Sequence, residues 1–133
     1  MCKNFSLASL IFISLSGMSY AFAQSAKVAE QKYPDILSAQ VRAQGMNNFS
    51  FDVTVSSPYD TPQRYADAFR VMSAEGVVYG ERTLWHDHES EQPFTRDLYG
   101  VSIRAGIKNV VIQGRDQKYG YGGKTVTVAL PGR

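Results

Sequence analysis

The strongest constraint on the fold is the strict alternation of apolar and polar residues across positions 49–56. Its apolar members stand at every second position and are Phe49, Phe51, Val53 and Val55. Successive side chains of a β-strand point to opposite faces of the sheet. The pattern therefore predicts a strand with one face in a hydrophobic core and the other in water.

Six other short segments carry strand-like patterns and are separated by turn-forming residues. They span residues 36–44, 66–73, 77–85, 95–103, 108–116 and 124–130. Seven short strands with turns about every eight to twelve residues are typical of an antiparallel sandwich. Residues 65–69 could alternatively form one turn of helix, because short apolar runs are compatible with both structures.

The N-terminus has the three-part pattern of a secretory signal peptide. Lys3 supplies a positive charge, residues 7–17 form an uncharged and mostly apolar run, and residues 21–23 are an A-x-A cleavage motif. The apolar run is shorter than the roughly 20 residues that a membrane-spanning helix needs. We therefore predict that the protein is exported, either to a periplasm or out of the cell.

This pattern divides the chain into a signal peptide (1–23), a flexible lead-in (24–35) and one β-sandwich domain (36–133). Cleavage would leave the mature chain nearly neutral, which disfavours nucleic acid as a partner. It would also remove Cys2, the single cysteine, so the mature chain would have neither a thiol nor a disulfide. We expect a monomer with no stable membrane anchor.

The closing segments VVIQGRD, QKYGYGG and KTVTVAL resemble the last hairpin of immunoglobulin-like and fibronectin type III domains. The likeness covers the strand pattern of residues 36–130 and implies a seven-stranded antiparallel immunoglobulin-like sandwich. The Cys-Trp-Cys signature of immunoglobulin domains is absent. The segments FDVTVSS, YADAFRV and EQPFTRDLYGV are similar to a group of small, uncharacterised exported bacterial proteins. That likeness implies a single domain and no particular function, because one fold serves many roles.

Strand direction places three long connections at one end of the predicted sandwich. In an alternating seven-strand chain, the second, fourth and sixth connections share an end, whichever sheet each strand joins. These connections are residues 57–65, 86–94 and 117–123, and they are longer than the other three. Long loops on a rigid sheet are common places for binding sites. We therefore predict a binding surface at this end.

The predicted contact residues are aromatic and titratable side chains in or beside these loops. Tyrosine gives a rigid, amphipathic contact surface, and imidazole titrates near neutral pH. The set is Tyr59, Asp60, Tyr65, Trp85, His86, His88, Tyr119 and Tyr121.

His86 and His88 form a candidate metal site. In an extended segment, residues at i and i+2 project to one side, and two imidazoles so placed can bind one zinc or copper ion. A zinc site needs at least one more protein ligand, which Glu91, Asp60 or Glu89 could supply, and Glu91 is the predicted one. The loop carboxylates could hold calcium instead, although the glycine spacing of the known calcium loop is absent.

The sequence offers little that points to catalysis. The sequence has no G-x-S-x-G elbow and no H-E-x-x-H pair, and no cysteine nucleophile would survive cleavage. The predicted function is an exported, non-enzymatic binding or accessory module for a protein or small ligand. Two alternatives stay open: a zinc- or copper-binding periplasmic protein that uses His86 and His88, and a structural domain that pairs with a partner through an edge strand.

Overall fold

The computed structural model describes residues 30–133, and the predicted signal peptide lies outside this range. Seven antiparallel strands make up the described chain. They are β1 (Asp35–Ala43), β2 (Asn48–Ser56), β3 (Ala66–Met72), β4 (Val78–Thr83), β5 (Phe94–Ser102), β6 (Asn109–Asp116) and β7 (Gly120–Ala129). Within residues 30–133, no helix has the length and apolar character needed to span a bilayer.

The strands form two sheets, one with the order β1-β2-β5 and one with the order β4-β3-β6-β7. The predicted all-β sandwich is therefore confirmed. The helical alternative for residues 65–69 is wrong, because β3 begins at Ala66 and pairs with both β4 and β6. In constant-type immunoglobulin domains the fourth strand joins the sheet of the fifth, whereas here β4 pairs with β3. Membership of the immunoglobulin or fibronectin type III class stays a prediction.

One hydrophobic core lies between the two sheets. Phe51 and Val53 project into it from β2, where the alternation in the sequence places them on one face. Phe69 of β3, Ile112 of β6 and Phe94 of β5 belong to the same buried cluster. Full burial of such a side chain contributes about 1.5–3 kcal/mol, so this interior is the main source of stability.

Most strand boundaries agree with the sequence pattern to within two residues, but the last strand begins earlier than predicted. β7 starts at Gly120 because the β6–β7 hairpin continues through the glycine-rich segment, with Arg115 opposite Tyr121 and Asp116 opposite Gly120. The predicted loop 117–123 is therefore only residues 117–119. Gly120 has a positive φ of 82°, a backbone conformation that glycine adopts without a steric cost.

The described part of the predicted lead-in, residues 30–34, lies against the four-stranded sheet. Pro34 is buried, and a Cβ atom on Gly114 would come within 2.6 Å of the Pro34 ring. Tyr33 covers Gly122 in the same way, at 2.5 Å. The two glycines leave the space that this segment fills, so residues 33 and 34 are packed, in contrast to the flexible lead-in that was expected.

Candidate functional site

The three even-numbered connections meet at one end of the sandwich, as the strand directions predict. We call this end the loop pole and define it as residues 57–65, 84–93 and 117–119. Its loops are cross-linked by hydrogen bonds. The backbone N–H of Ser57 donates to the Gln92 side chain at 2.8 Å, and the backbone N–H of Gln117 donates to the Tyr65 carbonyl at 3.0 Å.

Asp60 is a buried structural acceptor within the loop pole. Its carboxylate accepts hydrogen bonds from the backbone N–H groups of Ala66 and His88, each at 3.0 Å. Burial raises the pKa of Asp60, while those two donors act to lower it. Both carboxylate oxygens of Asp60 accept hydrogen bonds inside the fold. Asp60 therefore connects two loops and does not face a partner, in contrast to what the sequence predicts.

Asp116, at the end of β6, is a second buried carboxylate with a full set of donors. The Tyr59 hydroxyl donates to it at 2.7 Å, and the backbone N–H groups of Lys118 and Tyr119 donate at 2.8 and 2.9 Å. Burial acts to raise the pKa of Asp116, but these hydrogen bonds and that from Arg64 hold it below its ordinary value. Tyr59 is thereby held inside the pole, and burial together with the adjacent Asp116 carboxylate raises its pKa.

Arg64 connects the loop pole to the N-terminal segment. It donates to the Asp116 carboxylate at 3.2 Å and to the Glu30 carboxylate at 3.0 Å. It also donates to two backbone carbonyls, those of residues 31 and 32, at 3.0 and 2.8 Å. The guanidinium lies 4.2 Å from the ring centre of Tyr59 and 4.9 Å from that of Tyr119. Sequence reasoning missed this residue, because nothing in the loop pattern distinguishes it from a solvated arginine.

His86 and His88 are neighbours, as the i, i+2 spacing predicts, but their environments differ. Their ring centres are 4.9 Å apart. His86 is exposed, whereas the His88 side chain is buried and stacks on Phe94 with centroids 3.9 Å apart and an interplanar angle of 11°. Burial, followed by the nearby charges of Arg96 and His86, lowers the pKa of His88. Its Nδ1 atom is buried without a hydrogen-bond partner among the described residues.

The third predicted metal ligand does not join the two histidines. The Glu91 carboxylate instead pairs with the guanidinium of Arg96, with oxygen–nitrogen distances of 3.0 and 3.4 Å. Across residues 30–133, no group of three or more His, Cys, Asp and Glu side chains is arranged to hold a metal ion. The described residues thus place two imidazoles side by side, without the third metal ligand that the sequence predicts.

Trp85 is the most exposed aromatic residue of the loop pole. The side chain is 83% exposed, although its backbone carbonyl accepts a 3.4 Å hydrogen bond from the Tyr65 hydroxyl. A small pocket of about 70 Å³ lies beside it, lined in part by His86, His88 and Arg96. Trp85 and His86 are the predicted contact residues that remain most open to a partner.

Tyr121 does not belong to the loop pole, which corrects its predicted position. It lies in β7, and its hydroxyl donates to the Glu81 carboxylate on the same sheet. The Arg70 guanidinium lies 3.8 Å from its ring centre. The early start of β7 causes this difference, since Tyr121 pairs with Arg115 within the sheet. Tyr119, in contrast, stays in the loop and is partly exposed.

A second cleft lies at the opposite end of the sandwich, where the sequence predicts no site. We call it the end cleft. It has a volume of about 500 Å³, and its lining includes Asn47, Val77, Tyr79, Ser102, Arg104 and Ile107. This size is typical of small-ligand sites. No sequence pattern predicts this cleft, because its walls come from three short turns that are far apart in the chain.

Arg133 stabilises one wall of the end cleft through hydrogen bonds. Its guanidinium donates to the backbone carbonyls of Ile103 and Ile107 at 2.7 and 3.0 Å, and to the side chain of Asn47 at 2.7 Å. The same group lies 4.9 Å from the ring centre of Phe49. These contacts join the β1–β2 turn to the β5–β6 turn.

Comparison with known proteins finds one partial relative. A protein of Halomicrobium mukohataei described as "Putative lipoprotein" is 33% identical to this chain over 94 residues. The aligned region is 71% of this chain and 46% of that protein, so the chain spans about half the length of the curated relative that it matches. No family model matches the sequence, and no solved structure matches it.

Proposed function

We propose that the protein is an extracytoplasmic, non-enzymatic binding or accessory module that contacts a partner through the Trp85 side of the loop pole. The signal-peptide pattern of residues 1–23 and the description of the relative as a lipoprotein support an extracytoplasmic location, periplasmic or secreted. The observation that carries the proposal is the 83% exposure of the Trp85 side chain, which lies on loops that hydrogen bonds hold together.

The loop pole is organised before any partner arrives. Asp60 joins the second and fourth connections, and Asp116 anchors Tyr59 and the third long loop. A surface that is already ordered loses little conformational entropy on binding. Tryptophan is enriched among the residues that contribute most to binding energy at interfaces. Trp85 is therefore the expected centre of the contact, with His86 beside it.

Site-specific photo-crosslinking in an exporting bacterial host tests this proposal. A benzophenone amino acid replaces either Glu89, which is exposed on the loop pole, or Val78, which is exposed on edge strand β4. We expect a discrete higher-mass adduct from position 89 and none from position 78, and Trp85→Ala should reduce that adduct. An adduct from position 78 alone would favour edge-strand pairing. An adduct unaffected by Trp85→Ala would contradict the proposed surface.

A second candidate function is zinc or copper binding through His86 and His88. The 4.9 Å separation of the two rings and the unpartnered, buried Nδ1 atom of His88 favour it. The test is thermal unfolding of the metal-stripped protein with and without each ion. An ion at a hundred times its dissociation constant stabilises the native state by about 2.7 kcal/mol.

We expect the double variant His86→Ala/His88→Ala to lose any such stabilisation. Glu91→Gln should keep it, because Glu91 pairs with Arg96 and not with the histidines. If neither ion raises the unfolding temperature of the original chain, the metal function is excluded for zinc and copper.

A further inference from the structure

The two ends of the sandwich differ in how their charged groups are paired. At the loop pole, Asp116 pairs with Arg64, and Glu91 pairs with Arg96. At the end cleft, Glu75 and Arg104 both line the cavity, yet neither forms an ion pair with any residue in 30–133. The cleft therefore carries one free negative and one free positive group on its walls.

The remaining walls of the end cleft are mixed in character. The lining includes the apolar residues Val77 and Ile107, and it also includes Tyr79 and Ser102, whose side chains carry hydroxyl groups. A ligand that suits this lining has an apolar body, one cationic end for Glu75 and one anionic end for Arg104. Guanidinium groups bind carboxylates through paired, charge-assisted hydrogen bonds.

We propose that the end cleft binds a short peptide with apolar side chains and two free, charged termini. The peptide ammonium group pairs with Glu75, its carboxylate pairs with Arg104, and its apolar side chains contact Val77 and Ile107. The cleft volume of about 500 Å³ lies within the range of small-ligand sites, about 300–1,000 Å³. This site lies at the end opposite Trp85 and does not depend on the function proposed for the loop pole.

The cleft walls are held in place without a ligand, which favours binding at low entropic cost. Arg133 fixes the backbone of the β5–β6 turn. On the opposite wall, Ser73 is buried, and its hydroxyl accepts a hydrogen bond from the Val77 backbone N–H at 2.9 Å. Gly80 lets β4 approach β5 closely, since a Cβ atom there would lie 3.2 Å from Val101.

Titration of the isotope-labelled full-length exported protein with leucyl-leucine tests the proposal. We expect the amide resonances of Val77, Tyr79 and Ile107 to shift in a saturable manner. The same dipeptide with an acetylated N-terminus and an amidated C-terminus lacks both charges, and it should bind at least tenfold more weakly. Arg104→Gln and Glu75→Gln should each weaken leucyl-leucine binding about tenfold, the size of one charge-assisted hydrogen bond.

Two exposed residues outside the cleft, Lys108 and Glu89, provide matched controls. Lys108→Gln and Glu89→Gln remove the same charges and should leave the affinity unchanged. Equal binding of the charged and blocked peptides would overturn the proposal. Resonance shifts confined to the loop pole, or an absence of shifts at millimolar peptide, would overturn it as well. None of these results tests the function proposed for the loop pole, because that function is tested separately by crosslinking at position 89.

Discussion

The backbone N–H of His88 donates a 3.0 Å hydrogen bond to the buried carboxylate of Asp60, and this bond joins the β4–β5 loop to the β2–β3 loop. The other oxygen of the same carboxylate accepts from the N–H of Ala66 at the start of β3. One side chain thus connects two loops and the start of β3 at the loop pole.

Replacement of Asp60 by alanine should destabilise the protein strongly. It leaves two buried N–H groups without acceptors, and each unsatisfied group costs about 1–3 kcal/mol. We expect the free energy of unfolding in urea, followed by circular dichroism, to fall by about 2–6 kcal/mol. Glu89→Ala removes an exposed carboxylate from the same pole and should change it by less than about 0.5 kcal/mol. Equal effects of the two substitutions would contradict this role of Asp60.

Acidification should destabilise the protein through His88. Its pKa in the folded state lies below the ordinary value of 6.5, because of burial first and then of Arg96 and His86, against the weaker opposing effects of Asp60 and Glu91. As the pH falls through 6.5 the unfolded chain therefore takes up the proton first, and stability declines until the pH passes below the folded-state pKa.

Urea unfolding at a series of pH values from neutral to mildly acidic measures this effect. His88→Phe removes the titrating group and keeps a ring against Phe94, so the slope of stability against pH should flatten in this variant. His86→Gln, a change at the exposed neighbour, should retain most of the slope. Parallel curves for His88→Phe and the original chain would show that other groups cause the acid sensitivity.

Arg64→Lys should loosen the N-terminal segment. A lysine ammonium cannot reproduce the planar fork that contacts Asp116, Glu30 and two backbone carbonyls at once. We expect the free energy of unfolding to fall by about 1–3 kcal/mol and amide hydrogen exchange to become faster in residues 31–33. Arg42→Lys alters an exposed pair with Asp52 and should cost less than about 1 kcal/mol. Unchanged exchange in Arg64→Lys would show that the sheet alone holds the segment.

Gly123→Ala and Gly76→Ala separate backbone strain from steric conflict. Both glycines have positive φ, 79° and 90°, which costs an alanine about 1–2 kcal/mol. A Cβ atom at Gly76 would meet nothing within 4 Å, but at Gly123 it would lie 2.2 Å from the Pro34 carbonyl oxygen. Gly123→Ala should therefore be the more destabilising, by at least about 1 kcal/mol in urea unfolding. Similar losses in both variants would mean that the N-terminal segment moves aside freely.

The strands and the loop pole were predictable because they depend on local patterns. Alternation at residues 49–56 specifies which face of β2 is buried, and antiparallel strand direction places the long connections at one end. The adjacency of His86 and His88 followed from the same geometry. These features need no knowledge of which strands pair.

Features that depend on contacts between distant residues were not predictable. Arg64 and Asp116 are 52 positions apart in the chain, and the sequence does not show that Asp116 is buried or that Arg64 contacts it. The predicted loop position of Tyr121 was wrong, because a glycine-rich segment is compatible with both a loop and a strand. Only its pairing with Arg115 in the folded sheet shows that the segment is a strand. The end cleft depends on three turns that meet only in the folded molecule.

Trp85 is the one tryptophan of the chain, and it lies outside the hydrophobic core. The native protein should therefore emit fluorescence at a wavelength close to that of an indole in water, with only a small further change on unfolding. A partner that covers the loop pole should shift the emission to the blue, whereas a ligand in the end cleft should leave it unchanged. The protein thus carries its own optical probe at one of its two candidate surfaces.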